Sequence, residues 1–168
     1  MYDRLTRSDI AKIEAEIEER KLVKRPALIE AVKEARAHGD LSENFEYHAA
    51  KAEKNQNESR IAYLEDMIKT ATIIDDDDAD DGKVAMNKSV EVYFPEGDET
   101  EEYKIVTTIR GNSLKGLISI DSPLGKALLG HVEGDTVHIV INENVGYDVV
   151  IKKVGPAQDD SDDEIKAF

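Results

Sequence analysis

The stretch HGDLSENFEY, His38 to Tyr47, decides how the first half of the chain folds. It sets one glycine and the carboxylates Asp40, Glu43 and Glu46 between two stretches that read as helix. Gly39 is a natural helix stop, because glycine enters the left-handed conformation without steric penalty. Upstream, Ile10, Ile13 and Ile17 recur at helical spacing, and Leu28, Ile29, Val32 and Ala35 resume an apolar stripe beyond Pro26. Proline removes a helical N–H and clashes with the preceding turn, so Pro26 marks a kink or a restart at the first helical position. Downstream, Tyr47, Ala50, Lys54, Asn57, Ile61, Leu64, Ile68 and Ala71 alternate steps of three and four, a heptad seam with two polar members. So short a connection between two long helices permits only an antiparallel return. Residues 1–74 are therefore expected to form an antiparallel coiled-coil hairpin with HGDLSEN at its tip.

Beyond the hairpin the composition changes. DDDDADDG, Asp75 to Gly82, crowds like charges together and reads as a linker over residues 75–82. It is no EF-hand, since neither register supplies both the central glycine and the closing glutamate. Short β-rich runs follow at roughly Ser89–Phe94, Tyr103–Arg110, Leu117–Asp121, Thr136–Ile141 and Tyr147–Val154. Between the third and fourth, SPLGKALLG has a serine cap at Ser122, a first-turn proline at Pro123 and a terminal Gly130, the marks of a two-turn helix. Residues 83–155 are thus expected to form a small α+β domain with a mostly antiparallel sheet. The acidic residues 156–168 lack core-formers and are expected to be disordered.

A formal charge of −15 argues against a general duplex-DNA binder, whose affinity comes from neutralising phosphates. The absence of cysteine removes disulfides and thiolate metal sites. No leader or long apolar run is present, which leads us to expect a cytoplasmic protein with no membrane partner. The tip itself has two readings. Asp40 followed by Glu43 has the form of a capping box, which would leave Glu46 a solvated helix residue. Alternatively, carboxylates one helical turn apart share a face, and one or two of them suit a hard cation such as Mg²⁺. No nucleophile, base or phosphate cradle lies nearby, so any chemistry at the tip must be completed by a larger machine.

RPALIEAVKEARAHGDLSENFEYHAAK (residues 25–51), RIAYLE (60–65) and SPLGKALLGHVEGD (122–135) together resemble the bacterial Gre-type transcript cleavage factors, the GreA-like branch more than the GreB-like. The resemblance implies an FKBP-like second domain that docks on RNA polymerase and a hairpin that enters the polymerase secondary channel. It implies that Asp40 and Glu43 are the catalytic pair and ligate a second Mg²⁺, shared with the polymerase active site and not stably held by this chain alone. Such a protein is not itself an enzyme; it stimulates the polymerase's own cleavage of backtracked RNA. The implied partners are bacterial RNA polymerase and the nascent RNA 3′ end, with the chain acting as a monomer. Asn44, Glu46 and Tyr47 would support the tip. Arg36 and Lys51, with Lys54 further away, would either meet the RNA or simply balance Glu34, Glu46 and Glu53.

Two positions depart from the family pattern. Phe45 stands where a small residue is usual, and we expect it to pack inside the hairpin, with stacking on a base as the alternative. Asp9 replaces a common glycine. Rival readings are a non-catalytic secondary-channel binder that inhibits or regulates polymerase, a prolyl isomerase suggested by fold alone, and a free-standing nuclease. The chain has no Trp and only three Phe with which to wall an isomerase pocket, and it encodes no complete nuclease site.

Overall fold

The computed structural model describes residues 4–39, 42–75 and 81–167. Two compact units emerge: Ile10–Ala71, and the N-terminal residues through Asp9 together with Thr72–Ala167. Most of the expected 75–82 linker lies outside the described residues.

The helical unit contains α1 (Arg7–Glu19), α2 (Arg25–Arg36) and α3 (Phe45–Thr70). A π-helical turn, Arg20–Lys24, joins α1 to α2, and the Arg25 N–H reaches back five residues to the Arg20 carbonyl. Pro26 sits in the first turn of α2. Having no N–H, it breaks the ordinary four-residue ladder, and the wider turn absorbs the break without ending the rod.

Ile13, Ala35, Tyr47, Ile61, Leu64 and Met67 are buried, each fully buried aliphatic side chain contributing about 1.5–3 kcal/mol before entropy. The polar seam residue Asn57 is buried because it serves the π-turn. Its Oδ1 accepts from Arg20 Nη1 at 2.9 Å, and its Nδ2 donates to the Arg20 carbonyl at 3.3 Å. Glu16 receives Arg20 Nε at 3.1 Å and Arg60 Nε at 2.8 Å. Arg25 grips Glu58 with two bonds, at 2.9 and 2.7 Å. The heptad expectation drifts toward the far end, where Met67 is buried and Ile68 only half-buried. A straight 3.6-residue helix slips about 20° per heptad against a 3.5 repeat.

In the other unit, β1 (Arg4–Leu5) pairs in parallel with β2 (Thr72–Ile73). The main sheet comprises β3 (Lys88–Phe94), β4 (Glu99–Val106), β5 (Leu117–Ser119), β6 (Thr136–Val140) and β7 (Gly146–Ala157). Their spatial order is β5-β4-β3-β7-β6, antiparallel except for the β4–β5 pair. The class is α+β, as expected. Val84, Val90, Val92, Ile105, Ile120, Leu128, Val137, Ile139, Val149 and Ile151 make one buried cluster.

Helix α4 (Pro123–Leu128) is capped as expected, the Ser122 hydroxyl accepting from the Gly125 N–H. Gly125 is needed there, because a Cβ would stand 2.0 Å from the Ser119 carbonyl oxygen. The second strand was expected to run to Arg110, yet β4 ends at Val106 and a 3₁₀ turn spans Thr108–Arg110. That turn aims Arg110 inward.

Arg110 is the fully buried hub of a polar network. Its Nε donates to Asp9 Oδ1 at 2.6 Å and its Nη1 to Asn87 Oδ1 at 2.9 Å. Asp9 closes a box at the start of α1: its Oδ2 accepts from the Thr6 N–H, and its own N–H donates to Thr6 Oγ1. Thr107 Oγ1 donates to the same Asp9 Oδ2 at 2.7 Å.

The acidic tail corrects an expectation. Residues 156–168 were expected to be disordered, but Pro156 and Ala157 continue β7 and residues 158–167 dock on this unit, Phe168 lying outside the described residues. Asp163 Oδ2 accepts from Arg110 Nη1 at 3.0 Å and from Lys104 Nζ at 2.9 Å. The Lys166 N–H bonds the Ile109 carbonyl, and the Gln158 N–H bonds that of Asn87. Apolar burial is a poor guide to a segment held by ions and backbone bonds.

Candidate functional site at the hairpin tip

Asn44 organises the tip. Its extended backbone ends the turn, and its Oδ1 accepts from the Tyr47 N–H at 3.0 Å, capping α3. Its Nδ2 donates to the Ala35 carbonyl at 2.6 Å, tying the start of α3 to the end of α2. The cap read from the sequence, Asp40 with Glu43, is therefore corrected. The helix begins at Phe45, so Glu43 precedes it and cannot occupy the third helical position. Asp40 and Leu41 lie outside the described residues. Gly39 has φ +139°, a conformation that L side chains rarely adopt.

Tyr47 is buried beneath the tip at 8% exposure. The Arg36 guanidinium lies 5.6 Å from its ring centroid and the Lys51 ammonium 5.9 Å. Arg36 hydrogen-bonds the phenol, and this holds the Tyr47 hydroxyl below its ordinary value. Burial opposes that shift, and the Lys51 charge reinforces it. The two cations named in the sequence are thus gathered by one aromatic ring near the tip. Lys54 is half-buried, farther along α3.

The carboxylates differ in their engagement. Glu46, in the first turn of α3, pairs through its carboxylate oxygen with His38 Nδ1 at 2.8 Å. Glu43 is exposed, and among the described residues nothing hydrogen-bonds or ion-pairs with it. Phe45 corrects a further expectation: it is 86% exposed and does not pack inside the hairpin. At the first helical position its side chain points away from the seam that Tyr47 fills. His38, Gly39, Glu43, Asn44, Phe45 and Glu46 line an open cavity of ≈ 520 Å³.

The donor set can be tested against Mg²⁺. Among the described residues no group of three or more His, Asp or Glu is gathered to hold a metal. A single exposed carboxylate such as Glu43 fits a weakly held Mg²⁺, which takes one or two protein carboxylates and keeps most of its water. It does not fit a resident metal centre. The Arg110 network escaped the sequence reading. The one local signal was TRSD, Thr6 to Asp9, a Thr with an acid three residues on, at the start of a helix.

Comparison with known proteins places both units. Residues 4–73 match the family described as transcription elongation factor, N-terminal. Residues 68–156 match transcription elongation factor, GreA/GreB, C-term, so residues beyond 156 lie outside both matches. A transcription elongation factor GreA from Oenococcus oeni is 42% identical over 155 residues, covering 92% of this chain and 95% of that protein. One from Streptococcus pneumoniae is 43% identical over 151 residues, covering 89% and 93%. A solved structure, GreA factor homolog 1 of Thermus thermophilus, is 24% identical, covering 92% of this chain and 99% of that chain, with a TM-score of 0.41.

Proposed function

Because the chain belongs to the GreA/GreB family of transcription elongation factors, we propose that it works on RNA polymerase by placing its hairpin tip in the secondary channel. There it stimulates the polymerase's own cleavage of backtracked RNA. The observation that carries the reading is the Glu43 carboxylate, exposed and without a partner among the described residues, beside an Asn44 clamp that ties both helices together. A carboxylate that none of the described residues engages is available to something outside the chain.

Glu43 and Asp40 are the residues we assign to a Mg²⁺ shared with the polymerase. When bound, that ion supplies Lewis-acid stabilisation of the reacting phosphodiester oxygens. The chain contributes position. Asn44 fixes the turn that presents Glu43, and Tyr47 anchors that turn in the buried seam. Arg36 and Lys51 bring positive charge close to the acidic tip, where they favour the approach of an RNA phosphate. Phe45 offers an exposed ring on which an extruded base can stack.

The test is RNA length after adding the protein to a stalled, backtracked polymerase with Mg²⁺. The proposal expects short 3′ fragments to be released only when both proteins are present. Cleavage by this chain alone would overturn the division of labour. Polymerase inhibition without cleavage would establish the non-catalytic alternative.

A further inference from the structure

The tail and the surface that receives it present a recognition site that the tip mechanism does not use. Lys104 on β4 and Arg110 in the 3₁₀ turn direct their charges at one carboxylate oxygen, Asp163 Oδ2, at 2.9 and 3.0 Å. Both cations are secluded, with side-chain exposures of 10% for Lys104 and 0% for Arg110. Further bonds among the described residues run through backbone. Gln158 N–H donates to the Asn87 carbonyl at 2.7 Å, Lys104 Nζ to the Asp159 carbonyl at 3.0 Å, and Lys166 N–H to the Ile109 carbonyl at 2.8 Å. Such a site reads main chain at both ends and carboxylates in the middle, Asp163 at hydrogen-bond distance and Asp160 as a longer ion pair, which is the chemistry of an acidic peptide.

The resident tail fits this site imperfectly. Arg110 Nη2 is buried and finds no hydrogen-bond acceptor among the described residues. Asp160 Oδ2 lies 3.8 Å from Nη1, beyond hydrogen-bond reach. Most tail residues are exposed, so little apolar burial resists their exchange. The chain as a whole carries −15, which disfavours loose association of an acidic segment and leaves Lys104, together with the guanidinium edge of Arg110 that Asp9 does not engage, as the attraction. The receiving residues Asn87, Lys104, Ile109 and Arg110 lie inside the family match, whereas the occupant lies beyond its end at residue 156.

We propose that the Lys104–Arg110 cleft is a binding site for an acidic peptide segment of a partner protein, and that this chain's own residues 158–166 fill it in cis as a competitor. Tethering gives the tail an effective concentration in the millimolar range. A partner segment therefore gains access when it satisfies Arg110 Nη2 as well as Nη1, or when the tail is displaced.

The experiment uses the full-length chain and a fluorescent peptide with the sequence of residues 157–167, AQDDSDDEIKA, read by anisotropy. Asp163→Lys sets a positive charge against both cations and releases the tail, which amide exchange at Gln158 and Lys166 reports. The released chain is expected to bind the peptide about tenfold or more tighter than wild type. Binding should weaken severalfold as salt rises from roughly 0.05 to 0.5 M. A peptide carrying Asn in place of Asp163 should lose most of its affinity, as should the double variant Asp163→Lys, Lys104→Met. Asp163→Asn is the milder second variant, and exchange protection of β3 and β7 checks that both variants keep their sheet. A released tail with no gain in peptide binding, or binding indifferent to the peptide's Asp163, would overturn the proposal and leave the tail an internal strap only. Unchanged protection at Gln158 and Lys166 in both variants would overturn the role given to Asp163.

Discussion

Two acidic segments of this chain look alike as sequence and behave differently as structure. At the tip, SENFE leaves Glu43 exposed and without a partner among the described residues. In the tail, DDSDDE buries the Asp163 side chain to 10% exposure between Lys104 and Arg110. Local composition reads both as solvated charge. What separates them is whether the fold brings cations from elsewhere in the chain, and Arg110 stands 53 residues from Asp163. A carboxylate that folding has already paired is held by its own chain, and one that folding leaves idle is open to a group from outside it.

The largest effect should come from the hub of the tail's site. Arg110→Met strands Asp9, which is buried and also bound by Thr107. Removing one partner of a buried ion pair costs about 3–5 kcal/mol, so thermal melting should show a large drop. A melting temperature close to wild type would mean that the network is incidental.

Ending the chain after Ala157 should have a smaller effect. It deprives Lys104 and Arg110 Nη1 of Asp163 while letting water reach the Lys104 ammonium, at a cost of about 1–2 kcal/mol. For a chain of this size that lowers the melting temperature by roughly 2–8 °C. No change would return the tail to the disordered reading. The same truncation should leave tip-dependent cleavage intact, which sharpens the contrast between the two acidic segments.

Glu16 supplies a pH test inside the hairpin. Burial raises its carboxyl, but hydrogen bonds and charge from Arg60 and Arg20 outweigh burial and hold it below the ordinary 4.5. A lowered folded value means that the stabilisation is present above the unfolded value and lost as pH falls through the folded one. Helicity at 222 nm should therefore become less heat-resistant below about pH 4.5. Glu16→Gln should flatten that acid dependence, and an identical acid slope in the variant would contradict the assignment.

Phe45→Ala should change stability least, by under about 0.5 kcal/mol, as expected of a residue that is 86% exposed. A loss above about 1 kcal/mol would restore the packed reading of this ring.

The hairpin, its Pro26 discontinuity, the Ser122 cap and the α+β class were all legible, because each rests on periodicity or on residues within one turn of each other. The cap of α3 was misplaced by four residues: Asp and Asn are both good caps, and what favours Asn44 is that its Nδ2 also bonds the Ala35 carbonyl of α2 while its Oδ1 caps Tyr47 N–H. The Asp9–Arg110 pair spans 101 residues and leaves no pattern along the chain. The tail was misread for the same reason, since its partners Lys104 and Arg110 lie in another part of the sequence. The tip carboxylates Asp40 and Glu43 were assigned through motif resemblance, and the structure adds that Glu43 is exposed and has no hydrogen-bond or ion-pair partner among the described residues.

The most direct test of the tip is the Mg²⁺ dependence of RNA cleavage with Glu43→Gln and Asp40→Asn in a backtracked polymerase complex. The α3 cap is Asn44, which both variants retain, so folding and polymerase binding should stay at wild-type levels. If these carboxylates share a Mg²⁺ with the polymerase, cleavage falls by about two orders of magnitude or more at low Mg²⁺ and recovers in part as Mg²⁺ is raised. Variants that fold, bind and cleave like wild type at every Mg²⁺ concentration would contradict the account.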